Sequence, residues 1–391
     1  MATIKYGEVK QMVEHLGSAQ TCARLGAAIR EKHLKAEDFS LKDLAEAIVP
    51  EGREWVASMS PFKSGFQPIR EAANAIDTSA FSNIAGQIVY SKLLDAYQSP
   101  AFIGDQLCTT IPTKLSGEKI AGVTNLGDAA AVVDEGMPYL PAGVAEDWIE
   151  TPATTKRGLY VPVTREAIFF DRTNLILDRA AKVGESLGIN KEKRILDCVI
   201  DGNVTTHRYR WKGTQIATYG DNSGTHTWDN NVASNALVDW SDINDAEQAF
   251  VNMTDPHTGE PILLMASTLL VCPNLKATAM RIVNAIEIRF GDGASASTQT
   301  ISRNPVTPYQ IITSPLLAAR VSAASQLNTT WYLGDPKKAF AYMENWPVTV
   351  TTAPVNSEAE FMQDIVLRYK ASERGAAATL DPRYMVRNLV A

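Results

Sequence analysis

The stretch from residue 116 to residue 160 constrains the fold most strongly, because it is long and contains little that could form a core. Two short strand-like pieces, residues 119–123 and 148–151, lie near its ends. Glycines and prolines recur between and around them, at Gly117, Gly122, Gly127, Gly136, Gly143, Pro138, Pro141 and Pro152. Structureless loops longer than about 15 residues are uncommon in compact domains. The stretch is therefore predicted to be a functional loop or a long, projecting β-hairpin, which is marginally stable until it packs on another surface.

A strand and a long helix are predicted directly after this stretch. Residues 158–164 have the composition of a strand, and residues 174–200 supply the apolar content of a helix. At a rise of about 1.5 Å per residue, that helix is on the order of 40 Å long. Gly184 and Gly188 lie inside it, and each costs about 1 kcal/mol in a helix interior. We therefore expect the helix to approach the layer beneath it closely at these glycines.

The remaining segments mix helices and strands without the alternation of βαβ units, so the predicted fold class is α+β. The clearest of them are an amphipathic helix at residues 85–97, a strand at 105–113 and a mostly apolar strand at 263–271. Helical patterns also occur in the first 60 residues, and a segment containing proline and glycine follows them at 59–80. The first 80 or so residues are predicted to form an extension rather than a core.

The net charge and the positions of the cysteines and histidines exclude several classes of protein. The net charge of −7 argues against a chain that binds nucleic acid tightly as a whole, because phosphate contacts need clustered Lys and Arg. The four cysteines are far apart in sequence, which excludes a zinc-type pair and predicts reduced, buried thiols. The five histidines have no metal-ligand spacing, and no apolar run approaches the roughly 18 residues of a membrane span. No cofactor, metal or membrane partner is predicted.

One charged cluster, at the junction of strand and helix, could be mistaken for an active site. Thr164, Arg165 and Glu166 could serve as nucleophile, electrophile and base, with Asp171 nearby. However, no histidine is close in sequence to activate the threonine, and neighbours on a strand point to opposite faces. We prefer a structural interpretation, in which Glu166 and Asp171 lie near the N-terminus of the long helix. Arg165 would then pair with a carboxylate of its own or a neighbouring chain; a hydrolase using Glu166 and Asp171 is the alternative.

The order of elements resembles that of the major capsid proteins of tailed bacteriophages, the Hong-Kong-97-type fold that encapsulin nanocompartments share. The most specific feature is VPVTREAIFFDRTNLILDRAAKVGESLGINKEKRIL, which is similar to the family's entry into its spine helix. The later segments LLVCPNLKATAMRI, WYLGDPKKAFAYMENWPVTV and IVLRYKASERGAAATLDPRYMV continue the resemblance, which covers roughly residues 85–391. Thr164 stands where the family commonly has serine.

The resemblance implies a division of the chain into an arm, a loop and two domains. The implied parts are an N-terminal helical arm at 1–84, an extended loop at 116–160 that lies over a neighbouring subunit, a peripheral domain with the spine helix at 85–115, 161–240 and 347–391, and an axial domain at 241–346.

The resemblance also implies a function. It describes a non-enzymatic major capsid protein that self-assembles into hexamers and pentamers of an icosahedral shell around double-stranded DNA. The implied location is the virion capsid, with assembly in the host cytoplasm. Implied partners are further copies of the chain, portal, scaffold and decoration proteins, and weakly held DNA. Arg165, Glu166, Asp171 and Lys119 are the expected assembly residues. Some relatives form Lys–Asn cross-links, but no such bond is predicted for Lys119, because no asparagine can be assigned as its partner. An encapsulin-type shell around an enzyme cargo shares the fold and stays open as an alternative.

Overall fold

The computed structural model describes residues 6–49, 52–58, 75–122, 132–137, 139, 147–170, 173–202, 209–221, 228–255, 259–291, 299–306, 308–353 and 365–389. The chain divides into two compact units. Unit one comprises Met1–Pro100, Lys156–Asn190 and Trp346–Arg374, and unit two comprises Ala101–Thr155, Lys191–Asn345 and Gly375–Ala391.

The α-helices, in chain order, are α1 (Tyr6–Leu16), α2 (Ser18–Arg30), α3 (Leu41–Ile48), α4 (Gly52–Ser58), α5 (Ala75–Tyr97), α6 (Gly104–Leu107), α7 (Arg165–Phe169), α8 (Thr173–Ile200), α9 (Trp240–Val251), α10 (Lys276–Val283), α11 (Pro315–Ala323) and α12 (Pro336–Ala339). The strands are β1 (Thr109–Pro112), β2 (Lys119–Ala121), β3 (Trp148–Glu150), β4 (Thr155–Thr164), β5 (Tyr209–Trp211), β6 (Thr214–Ile216), β7 (Asn231–Val232), β8 (Thr268–Val271), β9 (Glu287–Gly291), β10 (Gln299–Arg303), β11 (Gln310–Ile312), β12 (Trp331–Gly334), β13 (Phe340–Thr352), β14 (Ile365–Thr379) and β15 (Met385–Asn388). The predicted α+β class is confirmed by this mixture, and the predicted long helix is α8.

The N-terminal helices belong to the core of unit one. The Ser40 side chain caps α3 by accepting a hydrogen bond from the Asp43 amide at 3.2 Å. On the buried face of α3, Leu44 is in the same apolar cluster as Ile88 of α5 and Val161 of β4. The described helices of this part of the chain therefore contribute to a core cluster, whereas the sequence indicated an extension; the division of the chain into an arm and domains stays a prediction. The amphipathic pattern was visible in the sequence, but the partner surface comes from residues far along the chain.

In unit one, strand β14 lies between β13 and β4. Alternate side chains of these strands are buried against helices, as the period of two in a strand requires. Val163 of β4 and Tyr369 of β14 pack in the cluster that contains Ile176 of α8. Val348 of β13 packs with Leu187 of α8 in an adjoining cluster. One face of this part of the sheet is thus covered by the helices of its own unit.

The close approach predicted for the glycines of the long helix is confirmed at Gly184. A Cβ atom added at Gly184 would lie 2.2 Å from the carbonyl oxygen of Leu93 in α5. Real Cβ atoms do not come this close to an oxygen, so only glycine allows α8 and α5 to pack at this distance. Gly188 is buried, and a close approach at this second glycine stays a prediction.

Unit two is built around a five-stranded sheet with the order β11-β8-β12-β15-β7. The central strand β12 is fully buried, and its side chains alternate between two apolar clusters. Trp331 packs in the cluster that contains Ile243 of α9 and Ala279 of α10. Tyr332 packs in the cluster that contains Leu196 of α8. Both faces of the sheet are therefore covered, as continuous burial along β12 and β8 demands.

The strand predicted at 105–113 is shorter than expected, because α6 occupies residues 104–107 and β1 begins only at Thr109. The cause is Glu192 of α8, which is 3% exposed. Its carboxylate accepts hydrogen bonds from the amides of Ile103 at 2.9 Å and Gly104 at 2.8 Å. These bonds satisfy amide groups at the start of α6 and so favour a helical turn over an extended strand.

The strand predicted at 263–271 is likewise shorter, since β8 covers only Thr268–Val271. Leu263 and Met265 are instead almost fully exposed, so the apolar composition there does not mark a buried strand. The four cysteines are all buried, as predicted, and none of them forms a disulfide bond. Burial raises the pKa of the Cys108 thiol to about 12, which keeps it protonated and unreactive at neutral pH.

Candidate functional site

The predicted hairpin has its base in unit two. Strands β2 and β3 are antiparallel and pair Lys119 with Glu150 and Ile120 with Ile149. A further backbone bond joins the Gly122 amide to the Asp147 carbonyl at 2.9 Å. Strands β5 and β6 extend this pair to a four-stranded sheet with the order β2-β3-β5-β6. The strand pieces predicted at both ends of the long stretch are therefore confirmed, and they do pair with each other.

A small apolar cluster fixes this base. Ile149, Tyr209, Ile216 and Trp228 are all buried in it. The rings of Tyr209 and Trp228 meet edge to face, with centroids 5.8 Å apart, a favourable arrangement for aromatic side chains. The hairpin base is thus held by side chains as well as by its own backbone bonds.

Lys119 lies on the outside of this base. Its Nζ atom is 3.5 Å from the Glu150 carboxylate across the strand pair and 5.3 Å from the ring centroid of Trp148. The lysine side chain is about two-thirds exposed, so the ion pair contributes roughly 0–1 kcal/mol. Lys119 is therefore positioned by two neighbours of its own chain, and its predicted role in assembly stays a prediction.

The described part of the hairpin beyond its base exposes apolar and acidic side chains together. Val132 is 97% exposed, Met137 is 63% exposed and Tyr139 is 87% exposed. A turn closes between them, with the Met137 amide donating to the Asp134 carbonyl at 3.0 Å. Glu135 lies in this turn and is exposed like Asp134. These exposed apolar side chains are accessible to contact with another molecule.

The charged cluster at the strand-to-helix junction forms a short helix of its own. Thr164 ends β4 and caps α7, because its hydroxyl oxygen accepts a hydrogen bond from the Ala167 amide at 3.4 Å. Glu166 is exposed in the first turn of α7, where a negative charge is favourable. Its place is thus at the N-terminus of α7 rather than of the long helix α8.

The other two residues of that cluster, Arg165 and Asp171, lie partly or wholly outside the described residues. Arg165 begins α7, but its side chain lies outside the described part, and Asp171 lies outside the described residues altogether. Of the four residues, the structure describes the side chains of Thr164 and Glu166 only. The interpretation of Arg165, Glu166 and Asp171 as junction residues stays a prediction.

Unit one carries a groove of about 760 Å³ on the strands β4, β13 and β14. It is lined by Lys156, Gly158, Leu159, Tyr160, Thr351, Ala353, Arg368, Lys370 and Ser372. Three of these described lining residues are cationic and none is acidic. Tyr160 is 58% exposed, and the Arg368 guanidinium lies 5.9 Å from its ring centroid. We call this feature the cationic groove.

The cationic side chains reach the groove because of the alternation along β14. Leu367, Tyr369 and Ala371 are buried, so the residues between them point to the other face of the sheet. Beside the groove, Trp346 lies between Lys156 of the groove and one further cation, with Lys156 Nζ at 6.0 Å and the Arg374 guanidinium at 5.6 Å from its ring centroid. The result is a positively charged and partly aromatic surface on a chain of net charge −7.

The sequence interpretation missed the cationic groove. The available signal was the alternation in LRYKASER, where Arg368, Lys370 and Arg374 recur at even positions and the intervening side chains are mostly apolar. That pattern predicts a strand with one cationic face. The other half of the groove comes from β4, about 200 residues earlier in the sequence, and no local pattern could have joined the two.

The described residues include neither a metal-binding cluster nor a membrane-spanning helix. Among those residues, no group of three or more His, Cys, Asp or Glu side chains could hold a metal ion. Nor does any described helix combine the length and apolar character that crossing a membrane requires.

Comparison with known proteins identifies the family. A family profile described as phage capsid protein matches residues 149–388, which is more than half of the chain. Among solved structures, a chain of Gordonia phage Cozz is similar with a TM-score of 0.45 and 12% identity, covering 84% of this chain and 98% of that one. The capsid of the cyanophage P-SCSP1u is similar with a TM-score of 0.45 and 13% identity, covering 74% and 88%. A virus-like particle from Pyrococcus furiosus is similar with a TM-score of 0.40 and 10% identity, covering 77% and 97%. A search of curated protein sequences found no match.

The chain belongs to the phage capsid protein family. The resemblance inferred from the order of its elements is therefore confirmed. Its matched region begins in β3 of the hairpin base and includes the junction, the long helix α8, the cationic groove and the central sheet of unit two. The chain is a structural component of the phage capsid, and its place is the virion shell.

Proposed function

We propose that this chain is the major capsid protein of a tailed phage and self-assembles into hexamers and pentamers of an icosahedral shell around double-stranded DNA. The observation that carries the proposal is the family match over residues 149–388. The exposed apolar side chains of the hairpin support it, because they need a covering surface. A second copy of the chain supplies such a surface in any shell built from one protein.

The domain roles follow from the same resemblance. The loop at 116–160 would lie over a neighbouring subunit. The segments 85–115, 161–240 and 347–391 would form a peripheral domain, and 241–346 an axial domain at the centre of each capsomer. The helices of the N-terminal segment, proposed from the sequence to be an arm, pack in the core cluster of unit one, so we expect them to stay with the peripheral part during assembly.

Partners and location complete the proposal. The shell would be assembled in the host cytoplasm with portal, scaffold and decoration proteins. Its DNA would be held weakly, because the acidic chain offers few phosphate contacts overall. No catalytic activity is proposed, and Arg165, Glu166, Asp171 and Lys119 would serve assembly.

The contents of purified particles test the proposal. Particles isolated from cells that make the whole phage should contain double-stranded DNA of genome length. A shell that instead held a packaged enzyme and no DNA would favour an encapsulin-type compartment. Turnover of a substrate by the free subunit, lost on replacing Glu166 with Gln, would favour the hydrolase.

A further inference from the structure

We propose that the cationic groove of one copy binds the acidic turn of a second copy, which we define as residues 132–139. The inference rests on the proposed self-assembly and deepens it, because it names the surface that receives the projecting hairpin. It also names the chemistry of that contact, which combines carboxylates with guanidinium and ammonium groups over an apolar floor.

The cationic groove selects for an occupant that is both acidic and apolar. Lys156, Arg368 and Lys370 supply positive charge, and the described lining residues include neither Asp nor Glu. Leu159 and Tyr160 expose apolar surface in the same groove. A nucleic-acid backbone would use the cations but leave the aliphatic surface uncovered, whereas a peptide with mixed side chains would use both.

The acidic turn has the complementary composition. Residues 120–155 contain six Asp and Glu residues and no Lys or Arg. Of these, Asp134 and Glu135 are exposed in the described turn, which Gly136 allows through its positive φ of 86°. Val132, Met137 and Tyr139 expose large apolar side chains on either side of these carboxylates. Two carboxylates would therefore face three cations, and the flanking apolar side chains would face Leu159 and Tyr160.

The ordered base of the hairpin lowers the conformational entropy cost of this contact. Strands β2 and β3 and the cluster around Ile149 already order the base before any partner binds. A base that is ordered beforehand loses no further conformational freedom on docking, which lowers the entropy cost of association. A contact between opposite charges at a partly exposed surface also weakens as salt rises.

A charge reversal tests the cationic groove. In the full-length chain, Lys156→Glu, Arg368→Glu and Lys370→Glu together should lower the yield of shells at least about tenfold, the effect of roughly 1.4 kcal/mol per contact. The thermal unfolding temperature of the subunit should stay near that of the wild type. The matched control is Lys10→Glu, Arg24→Glu and Lys32→Glu, which changes the same charge on exposed residues of unit one. Normal shells from the groove variant, or equal loss in the control, would overturn the inference.

A charge swap identifies the occupant. Adding Asp134→Lys and Glu135→Lys to the groove variant should restore shells, because attraction is re-established with reversed signs. If this combination stays unassembled, the acidic turn is not the occupant. If the groove variant forms normal shells that package less DNA, the occupant is nucleic acid and the inference is wrong.

A cross-link provides a second measurement that does not depend on charge. Chains with only Met137→Cys and chains with only Leu159→Cys are assembled together under mild oxidation. Disulfide-linked dimers of the two chains are expected, and the four native cysteines should not interfere because they are buried. Pairing with Lys276→Cys in place of Leu159→Cys should give none. If the wild type forms no shells, the proposed function fails; if it forms shells without this cross-link, only the groove assignment fails.

Discussion

Glu192 is a single buried carboxylate whose hydrogen bonds redirect the local backbone. Burial raises its pKa more strongly than the amide hydrogen bonds from Ile103 and Gly104 lower it. The folded chain therefore binds this proton more tightly than the unfolded chain does. The free energy of unfolding must then fall as the pH rises from the ordinary carboxyl value of 4.5 through the raised folded-state pKa.

Replacing Glu192 with Gln should remove this part of the pH dependence. Across that window, the wild-type chain is expected to lose stability relative to Glu192→Gln, measured by urea unfolding at several pH values. Glu185→Gln, at an exposed position of the same helix, is the control and should keep the wild-type pH profile. A constant difference between wild type and Glu192→Gln at all pH values would contradict the expected titration.

Gly184 determines how closely α8 packs against α5. Gly184→Ala places a methyl group against the Leu93 carbonyl, so α8 and α5 must separate. We expect a loss of about 1–3 kcal/mol from this overpacking, although alanine favours a helix by about 1 kcal/mol over glycine. Ser186→Ala, exposed on the same helix, should change stability by less than about 0.5 kcal/mol. A stabilised Gly184→Ala variant in chemical denaturation would show that the two helices are not in close contact.

Among the elements, the N-terminal helices are the ones whose packing in unit one was hardest to predict from the sequence. Their amphipathic pattern predicted helices correctly. The segment with proline and glycine that follows them, however, indicated an extension separate from the core. Their buried face packs on α5, β4 and β14, and the last two lie more than 100 residues away in sequence. By contrast, the hairpin strands and α8 carry strong local signals, and the sequence predicted them nearly to the residue.

A core substitution in α3 tests the place of these helices. Leu44 is buried in the main cluster of unit one, so Leu44→Ala should cost about 2–5 kcal/mol. Met12→Ala, at a position of α1 that is 41% exposed, is the matched control and should have a smaller effect. The urea midpoints of both variants measure this, and an unchanged midpoint for Leu44→Ala would mean that the helices are a separate arm after all.

The hairpin can be shortened without removing its base. Deleting residues 123–146 and joining Gly122 to Asp147 through a two-residue turn keeps the pairs of β2 with β3 and the cluster around Ile149. We expect the subunit to keep its thermal unfolding temperature within about 2 °C, since the cluster around Ile149 includes no described residue of the deleted segment. Shells should nevertheless fail to form. Intact, stable shells from this deletion, seen by electron microscopy, would contradict the proposed role of the hairpin.

At the scale of the whole molecule, two surface features that would be unfavourable on an isolated monomer are consistent with a shell subunit. The hairpin exposes apolar side chains, and the cationic groove gathers positive charge on an acidic protein. Neither benefits an isolated monomer, since exposed apolar surface promotes association. In the proposed shell, copies that cover one another would make both features favourable.

The central claim is that this member of the phage capsid family builds a closed shell from copies of itself. Cryo-electron microscopy of the purified full-length protein, concentrated with its co-expressed assembly partners, tests it most directly. We expect closed icosahedral shells of pentamers and hexamers, with residues 116–160 of each copy lying over a neighbour. A protein that stays monomeric at high concentration, with no capsomers or shells in any field, would contradict the claim.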